Sequence, residues 1–225
     1  MHVAKATNAG NANIGLYTYA TDEFVLVGAD ASDEYVDILK KVLKVPVHKV
    51  HICGTSLIGI FIIGKDKTLC VPSIAFDHEI KALEDLGFTV AKVETAHTAL
   101  GNMIVVCPDA LIASTDVEAS ALKQIKDALS ISQSTQVEIA DTNVVGSALV
   151  YSKNGSLVHP QVSDEVFIQL EKLTHTKLTK ATVNWGSPYI LSGLVCNKNG
   201  FLVGETSSGP EVTNADEGLG FINND

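Results

Sequence analysis

Four cysteines are the strongest potential nucleophiles in this sequence, because a thiolate can attack an electrophile or bind a metal. They are Cys53, Cys70, Cys107 and Cys196. They lie far apart, form no CxxC pair, and each sits in or beside an apolar run. This arrangement is typical of buried thiols in a reducing compartment. We therefore expect these positions to bind no metal.

The histidines do not complete a catalytic set with these thiols. His48 and His51 lie on a strand-like run at a spacing that places them on opposite faces. His159 aligns with Val71 and Val203 of the repeat described below. A position that is apolar in sister units indicates a packing or capping role for this histidine.

Neighbouring acidic residues at Asp22-Glu23 and Asp77-His78-Glu79 are typical of a turn and of a helix start, where negative charge favours the helix dipole. No glycine loop of the phosphate-binding type is present. The sequence therefore predicts no catalytic residue and no cofactor. The N-terminus shows no basic region followed by an apolar stretch, so we expect no secretion signal, and the longest apolar run, 57–63, is shorter than the roughly 20 residues of a membrane span. We expect a soluble cytoplasmic protein that does not bind membranes.

The charged residues indicate which kind of partner the protein can bind. All 16 basic residues are lysine, and 26 acidic residues bring the net charge to −10. That sign disfavours binding by phosphate neutralisation, and arginine, which is best suited to bidentate phosphate contacts, is absent. The composition favours a basic protein partner over direct RNA binding. It is equally compatible with acidity that serves solubility alone.

A repeat of about 45 residues organises the chain. A leading glycine recurs after 44, 42, 45 and 47 residues, and an apolar triplet ending in Gly, Pro or Ser recurs after 44, 42, 46 and 44 residues. The leading glycines are Gly15, Gly59, Gly101, Gly146 and Gly193, and the triplets end at Gly28, Pro72, Ser114, Pro160 and Gly204. Two independent markers with one period predict five similar units.

Each unit is predicted to contain a hairpin, a helix and a returning strand. Apolar runs after the leading glycine, such as 60–63 and 148–151, predict the first hairpin strand, and the triplet predicts the second. One-faced apolar patterns predict helices over 35–43, 117–129 and 166–173. Returning strands are expected at 45–50, 89–93, 135–139 and 178–183.

Capping residues mark two of the helix starts, with Ser32 or Asp33 before the first helix and Ser163 before the fourth. The fifth helix is expected to be short or distorted, because Gly209, Gly218 and Gly220 crowd its region.

Such a unit cannot bury both of its faces alone, whereas five of them can close into a ring without exposed sheet edges. The last unit lacks a returning strand, which residues 3–7 are expected to supply. We predict an α/β fold, a five-fold pseudosymmetric α/β propeller, as one domain over residues 1–225. The units run roughly over 8–52, 53–95, 96–140, 141–183 and 184–225. Two ordinary α/β domains would not produce a constant period.

Several segments, in their order and spacing, resemble the translation initiation factor 6 family. They are Asn13-Ile14-Gly15, Ala99-Leu100-Gly101-Asn102, Gly155-Ser156-Leu157-Val158-His159-Pro160 and Thr182-Val183-Asn184-Trp185-Gly186-Ser187. The resemblance runs essentially from end to end and implies the pentein fold, a five-fold α/β propeller. It also implies a monomeric, non-enzymatic factor that binds the intersubunit face of the large ribosomal subunit. Such a factor prevents association with the small subunit and has a role in subunit maturation.

The resemblance further implies that one face of the ring contacts ribosomal protein near the sarcin–ricin loop, with limited contact to ribosomal RNA. The alternative is a pentein enzyme that modifies guanidino groups, which needs a cysteine nucleophile, a histidine and paired carboxylates. Cys196, in the strand-like run 194–196, is the candidate nucleophile nearest the chain end, and is better interpreted as a buried strand thiol. A scaffold unconnected with ribosomes is a third possibility.

The loops beside the leading glycines carry small and amide side chains, and we predict that this rim is a flat docking face. Glycine allows close backbone approach, and asparagine hydrogen-bonds in either sense. Trp185 is a candidate anchor of the kind enriched at binding hot spots. The predicted partner-binding residues are Asn11, Asn13, Gly15, Ser56, Gly59, Asn102, Asn143, Asn184, Trp185 and Ser187. The repeated glycines are equally compatible with a role in ring geometry alone.

Overall fold

The computed structural model describes residues 1–222, in which fifteen strands form five three-stranded sheets. In each sheet the middle strand pairs antiparallel with one neighbour and parallel with the other. Four sheets are continuous in sequence: β2 (Thr18–Ala20), β3 (Val25–Gly28), β4 (Val47–Val50); β5 (Ile63–Lys65), β6 (Thr68–Pro72), β7 (Thr89–Val93); β8 (Ile104–Val106), β9 (Ala110–Ser114), β10 (Gln133–Val137); β11 (Leu149–Val150), β12 (Ser156–Val158), β13 (Leu178–Lys180).

The fifth sheet joins the two ends of the chain. It contains β14 (Leu194–Asn197), β15 (Gly200–Gly204) and the N-terminal strand β1 (Val3–Ala6). β1 pairs parallel with β15, from Val3 opposite Phe201 to Ala6 opposite Gly204. It therefore occupies the place that the returning strand has in each other sheet. The predicted α/β propeller of five similar units is confirmed. Residues 223–225 of the last predicted unit lie outside the described residues.

Five long helices accompany the sheets, and their starts follow the capping residues. The Ser32 hydroxyl accepts a hydrogen bond from the Tyr35 N–H, and the Ser163 hydroxyl accepts one from the Val166 N–H. The third-unit helix begins at residue 119, two residues later than its apolar pattern. The long helices are α1 (Asp33–Leu43), α3 (Asp77–Asp85), α5 (Ala119–Leu129), α7 (Asp164–Thr174) and α9 (Gly209–Gly218).

The core is divided among the boundaries between units. In one cluster the α5 residues Leu122 and Ile125 pack with Cys70 and Val93 of the preceding sheet. In another, Leu39 of α1 packs with Leu202 of β15, which links the first unit to the fifth. Each such boundary buries apolar surface that a separate unit would expose to water, at roughly 25 cal/mol per Å². The units therefore stabilise one another.

The prediction that the fifth helix is short or distorted was wrong. α9 has ten residues and a capping box between Ser208 and Glu211. Its glycines lie near the ends of the helix, where they reduce helix stability little. Gly209 follows the cap, and Gly220 lies beyond the helix with a φ of 76°. Gly218 allows close packing, because a Cβ there would lie 2.5 Å from Leu157 Cδ2.

The prediction that the apolar runs around the leading glycines form strands was wrong for the first residues of each run. Each begins as a single helical turn that packs against its neighbours around the axis, although β-branched residues usually favour strands. These turns are a 3₁₀ turn (Ile14–Leu16), α2 (Ile58–Phe61), α4 (Leu100–Met103), α6 (Val145–Ala148) and α8 (Ile190–Gly193). Close packing of these turns overrides the local preference.

Glycine makes that packing possible. A Cβ on Gly59 would lie 1.9 Å from the Gly15 carbonyl oxygen. A Cβ on Gly101 would lie 2.1 Å from the Gly59 oxygen, and one on Gly146 2.1 Å from the Gly101 oxygen. The axis is therefore built from backbone packed on backbone. Any side chain at these positions would push two units apart.

The fifth unit departs from this pattern, and the predicted marker Gly193 is not the equivalent residue. Gly193 ends α8, whereas the second residue of that turn, the counterpart of Gly59, is Leu191. A Cβ on Gly15 would lie 1.7 Å from the Leu191 carbonyl oxygen. Gly193 instead leaves space for the side chain of Asn184, whose Nδ2 would lie 2.5 Å from an added Cβ.

The axial glycines provide a stability test. We expect Gly101→Ala to lower the free energy of unfolding by roughly 2 kcal/mol or more, because the new methyl group overlaps the Gly59 carbonyl. The control is Gly209→Ala, at the start of α9, where nothing lies within 4 Å of an added Cβ. It should be neutral or stabilising by up to about 1 kcal/mol. Urea denaturation measures both, and equal stabilities for the two variants would contradict the axial packing described.

Candidate functional site

The returning strands run into turns, three of which hydrogen-bond to the start of the next long helix. We call the surface made by these turns, and by the loops that precede the long helices, the turn face. The turns are residues 8–11, 52–55, 94–97, 139–142 and 183–187. Four of them are closed by isolated antiparallel bridges. The turn face therefore repeats one local structure around the ring.

Left-handed backbone shapes these turns. Cys53 and Gly54 have φ values of 53° and 70°, as in the hairpin turns that need positive φ at both central positions. Ala9-Gly10 and Ala140-Asp141 share this conformation. The turn at 183–187 is one residue longer, and three consecutive residues, Asn184, Trp185 and Gly186, have positive φ.

Glutamate side chains at or just before the start of the following helix hold three of the turns. Glu79, which is buried, accepts hydrogen bonds from the N–H groups of Cys53 and Gly54, both at 2.8 Å. Glu118 accepts from the Ala96 N–H at 2.9 Å. Glu211 accepts from the Gly186 N–H at 2.8 Å and the Ser208 N–H at 2.7 Å. Burial alone would raise the pKa of Glu211, but these hydrogen bonds lower it overall. A carboxylate is thus a recurrent link between a turn and the start of the long helix that follows it.

A second recurrent set of side-chain contacts comes from one position of the returning strands. This position is the next-to-last residue in four of these strands and the corresponding residue in the fifth. Lys49 Nζ lies 2.8 Å from Asp33 Oδ1 at the start of α1, and Lys92 Nζ lies 2.9 Å from Asp77 Oδ1 at the start of α3. The set is Lys5, Lys49, Lys92, Gln136 and Lys180. The sequence analysis missed this row, although its spacing of about 44 residues follows the repeat.

Two of the predicted partner-binding positions need correction. Gly15 and Gly59 are buried, because they form the axial packing and a neighbouring carbonyl occupies the space beside each. The close backbone approach that glycine permits is made within the chain. These two residues are therefore not on an accessible surface.

The predicted amide residues are mostly engaged inside the protein. Asn184 has the most hydrogen bonds: its Nδ2 donates to the Ala12 carbonyl at 3.1 Å and its Oδ1 accepts from Thr206 Oγ1 at 2.9 Å. Asn102 Oδ1 accepts from Ser147 Oγ at 3.1 Å. Other hydrogen bonds of the predicted residues include Asn11 Nδ2 to Tyr17 OH, Asn13 N to Asn11 Oδ1, Ser56 Oγ to Asp30 Oδ2, Asn143 Nδ2 to Asp116 Oδ2 and Ser187 N to the Val183 carbonyl.

Exposed apolar side chains give the turn face its chemical character. Trp185 is 80% exposed, Ile74 53% and Phe76 52%, and Tyr189, two residues beyond the turn at 183–187, is 41% exposed. The sequence analysis identified Trp185 and missed the other three, although Ile74 beside Ser73 and Tyr189 beside Pro188 were usable signals of apolar residues in loops. Large apolar side chains held in water on one face are typical of interaction sites.

His159 lies below the turn face. The prediction that it aligns with Val71 and Val203 was wrong by one residue. The His159 N–H donates to the Ala148 carbonyl as the Gly28 N–H donates to the Tyr17 carbonyl. Its counterparts are therefore Gly28, Pro72, Ser114 and Gly204. His159 is buried, and its Nδ1 accepts from the Gln161 N–H at 3.1 Å, as Ser114 Oγ accepts from the Asp116 N–H.

The opposite end of the axis opens into a cavity of about 840 Å³. Cys196 lines it together with Asp22 and Tyr151. Burial and the charge of Asp22 raise the pKa of the Cys196 thiol to about 12, so that the nucleophilic thiolate is disfavoured. Among residues 1–222, no histidine hydrogen-bonds to this thiol, and no three potential ligands are grouped so as to hold a metal. Within the same range, no helix is long and apolar enough to cross a membrane.

The buried carboxylate of Glu79 provides a second test. We expect Glu79→Ala to lower the free energy of unfolding by about 2–4 kcal/mol, because three backbone N–H groups lose their acceptor. Glu84→Ala, an exposed change on the same helix, should stay within about 0.5 kcal/mol of the original protein. Thermal or urea unfolding compares the two. Similar losses for both would contradict the role assigned to Glu79.

His159 provides a pH test. Burial lowers its pKa below the usual 6.5, so the unfolded chain takes up this proton first as the pH falls. Its contribution to stability is therefore present above about pH 6.5 and is lost below it. Protonation of Nδ1 would also end the hydrogen bond from Gln161. His159→Ser introduces the residue found at the equivalent position Ser114. We expect the free energy of unfolding of this variant to fall less between pH 7.5 and pH 5.0 than that of the original protein. Equal shifts in the urea midpoint would contradict this.

Comparison with solved structures supports the fold. The chain is similar to the N-terminal domain of an arginine dihydrolase from cyanobacteria, with a TM-score of 0.52 and 10% identity over 84% of this chain and 72% of that one. It is also similar to a dimethylarginine dimethylaminohydrolase, with a TM-score of 0.51 and 13% identity over 79% of this chain and 69% of that one. At these identities the likeness shows the pentein fold and nothing about activity.

Comparison with other sequences identifies the family. Translation initiation factor 6 of Staphylothermus marinus is 31% identical over 97% of this chain and 98% of its own. The protein of the same name from Pyrococcus abyssi is 32% identical over 99% of this chain and 100% of its own. The eIF-6 family model matches residues 3–217. The chain belongs to the eIF-6 family, whose archaeal relatives are named translation initiation factor 6.

Proposed function

We propose that this protein is a non-enzymatic translation initiation factor that binds the intersubunit face of the large ribosomal subunit. Bound there, it prevents association with the small subunit, and the same binding gives it a role in subunit maturation. The observation that carries the proposal is the match to the eIF-6 family over residues 3–217. Near full-length relatives named translation initiation factor 6 support it.

The turn face is the surface that we propose for the contact. It presents exposed apolar side chains, among them Trp185 and Phe76, which can bury area against a partner. A net charge of −10 without arginine favours basic ribosomal protein, near the sarcin–ricin loop, with limited contact to ribosomal RNA. Asn11, Ser56, Asn143 and Ser187 would be polar contacts at the rim of this surface.

Three further proposals follow from the same reading. The five units act as one domain, because their cores lie at the unit boundaries. The protein acts as a monomer in the cytoplasm. It performs no catalysis, and the raised pKa of the Cys196 thiol supports this.

Co-sedimentation tests the proposed function. Purified protein should sediment with isolated large ribosomal subunits and should lower the yield of joined ribosomes when small subunits are added. Phe76→Ala, on the turn face, should weaken binding by about tenfold, because it removes apolar area that the partner would bury. Ile168→Ala is the control, since Ile168 is 53% exposed on α7, away from the turn face. It should bind as the original protein does.

Absence of co-sedimentation would refute the proposed function. Equal weakening by both variants would show that the turn face is not the contact. Hydrolysis of arginine or agmatine that disappears in Cys196→Ala would contradict the non-enzymatic assignment.

A further inference from the structure

We propose that Trp185 is the anchor of a docking site for a basic protein segment of the large ribosomal subunit, and that Glu211 and Asn184 hold it in place. This inference rests on the proposed function and adds to it a named anchor, the residues that position it and the chemistry of the partner.

The conformation of Trp185 is the first argument. Its φ is 62°, in the left-handed region, where a bulky residue is an outlier that costs of the order of a kcal/mol or more. Its side chain is nevertheless 80% exposed, so packing inside this protein does not compensate for the conformation. A large apolar side chain displayed in this way is explained by something outside the chain.

The sister turns provide the internal comparison. The turns at 8–11, 52–55 and 139–142 have small or acidic central residues, such as Ala9-Gly10 and Cys53-Gly54. The turn at 183–187 alone among these four has an extra residue and carries a tryptophan. The ring geometry is satisfied by the shorter turns, so it does not require the longer one.

Hydrogen bonds fix the backbone on both sides of the indole. The Trp185 and Gly186 N–H groups donate to Glu211 at 3.3 and 2.8 Å, and Glu211 is held in turn by Thr182 Oγ1 at 2.9 Å. The Asn184 N–H donates to Ser207 Oγ at 2.9 Å, and the side chain of Asn184 fills the space beside Gly193 and Gly204. The anchor is thus preorganised, which lowers the entropy cost of binding.

The surroundings indicate a basic occupant. Tyr189 is exposed close by in sequence, and Glu205 is exposed in the loop that carries Thr206, a hydrogen-bond partner of Asn184. An exposed indole on a chain with an excess of carboxylates favours lysine or arginine side chains, through cation–π attraction and charge. Phosphate groups would be repelled by a chain of net charge −10. The partner is therefore protein rather than RNA.

Trp185 is the sole tryptophan, so its fluorescence reports on positioning without any ribosome present. We expect Glu211→Gln to lower the steady-state anisotropy of Trp185, because the turn that carries the indole gains mobility. Glu118→Gln is the matched control, because Glu118 holds the turn at 94–97, which carries no large apolar residue. It should leave the anisotropy unchanged. An unchanged anisotropy in Glu211→Gln would refute its positioning role.

Binding to isolated large subunits tests the anchor. We expect Trp185→Ala to weaken co-sedimentation by about tenfold or more, Glu211→Gln by about threefold, and Glu118→Gln by less than about twofold. Trp185→Phe, which keeps an aromatic ring, should recover part of the loss. If Trp185→Ala binds as tightly as the original protein, the anchor is refuted while the proposed function stands.

A separate binding experiment tests whether the partner is protein or RNA. Ribosomal RNA extracted free of protein from the same subunits should not bind the original protein. Binding to that RNA, lost in Trp185→Ala, would overturn the basic protein segment as the occupant. Failure of the original protein to bind intact subunits would refute the proposed function itself, and the fluorescence result would remain valid.

Discussion

Contact between backbone and backbone at the axis is the constraint on which the rest of this structure depends. Four of the five axial turns have glycine where any other residue would place a Cβ about 2 Å from the neighbouring turn. The fifth position, Leu191, keeps its side chain, and the same unit has the long turn with Trp185. The departure from five-fold symmetry and the most exposed aromatic residue of residues 1–222 therefore belong to one unit.

Outward from the axis, apolar packing acts across unit boundaries, and carboxylates hold three of the turns. Leu122 and Ile125 of α5 cover the preceding sheet, and Glu79 and Glu211 bind N–H groups of the preceding turn. Apolar packing supplies most of the stabilising free energy, while hydrogen bonds to the carboxylates fix the positions of these three turns. A rigid turn face results, on which few side chains remain free to bind anything else.

Period and pattern were enough to predict the propeller, the capping residues Ser32 and Ser163, and the returning strands. They did not predict the single helical turns at the axis, because β-branched runs favour strands until close packing overrides them. Gly193 and His159 were misaligned, since both markers tolerate a shift of one or two residues. The side-chain links of the turn face depend on which residues meet across units, and sequence spacing alone does not show that.

The strand β1 has a consequence for the order of events during synthesis. Among the strands of residues 1–222, β1 is the first to leave the ribosome and its partner β15 is the last. The pairing of Val3 with Phe201 cannot form until the chain has emerged as far as β15. Contacts between such distant residues slow folding and leave early intermediates with an unpaired edge. Closure of the ring is therefore a late step, which must wait for the synthesis of all four other sheets.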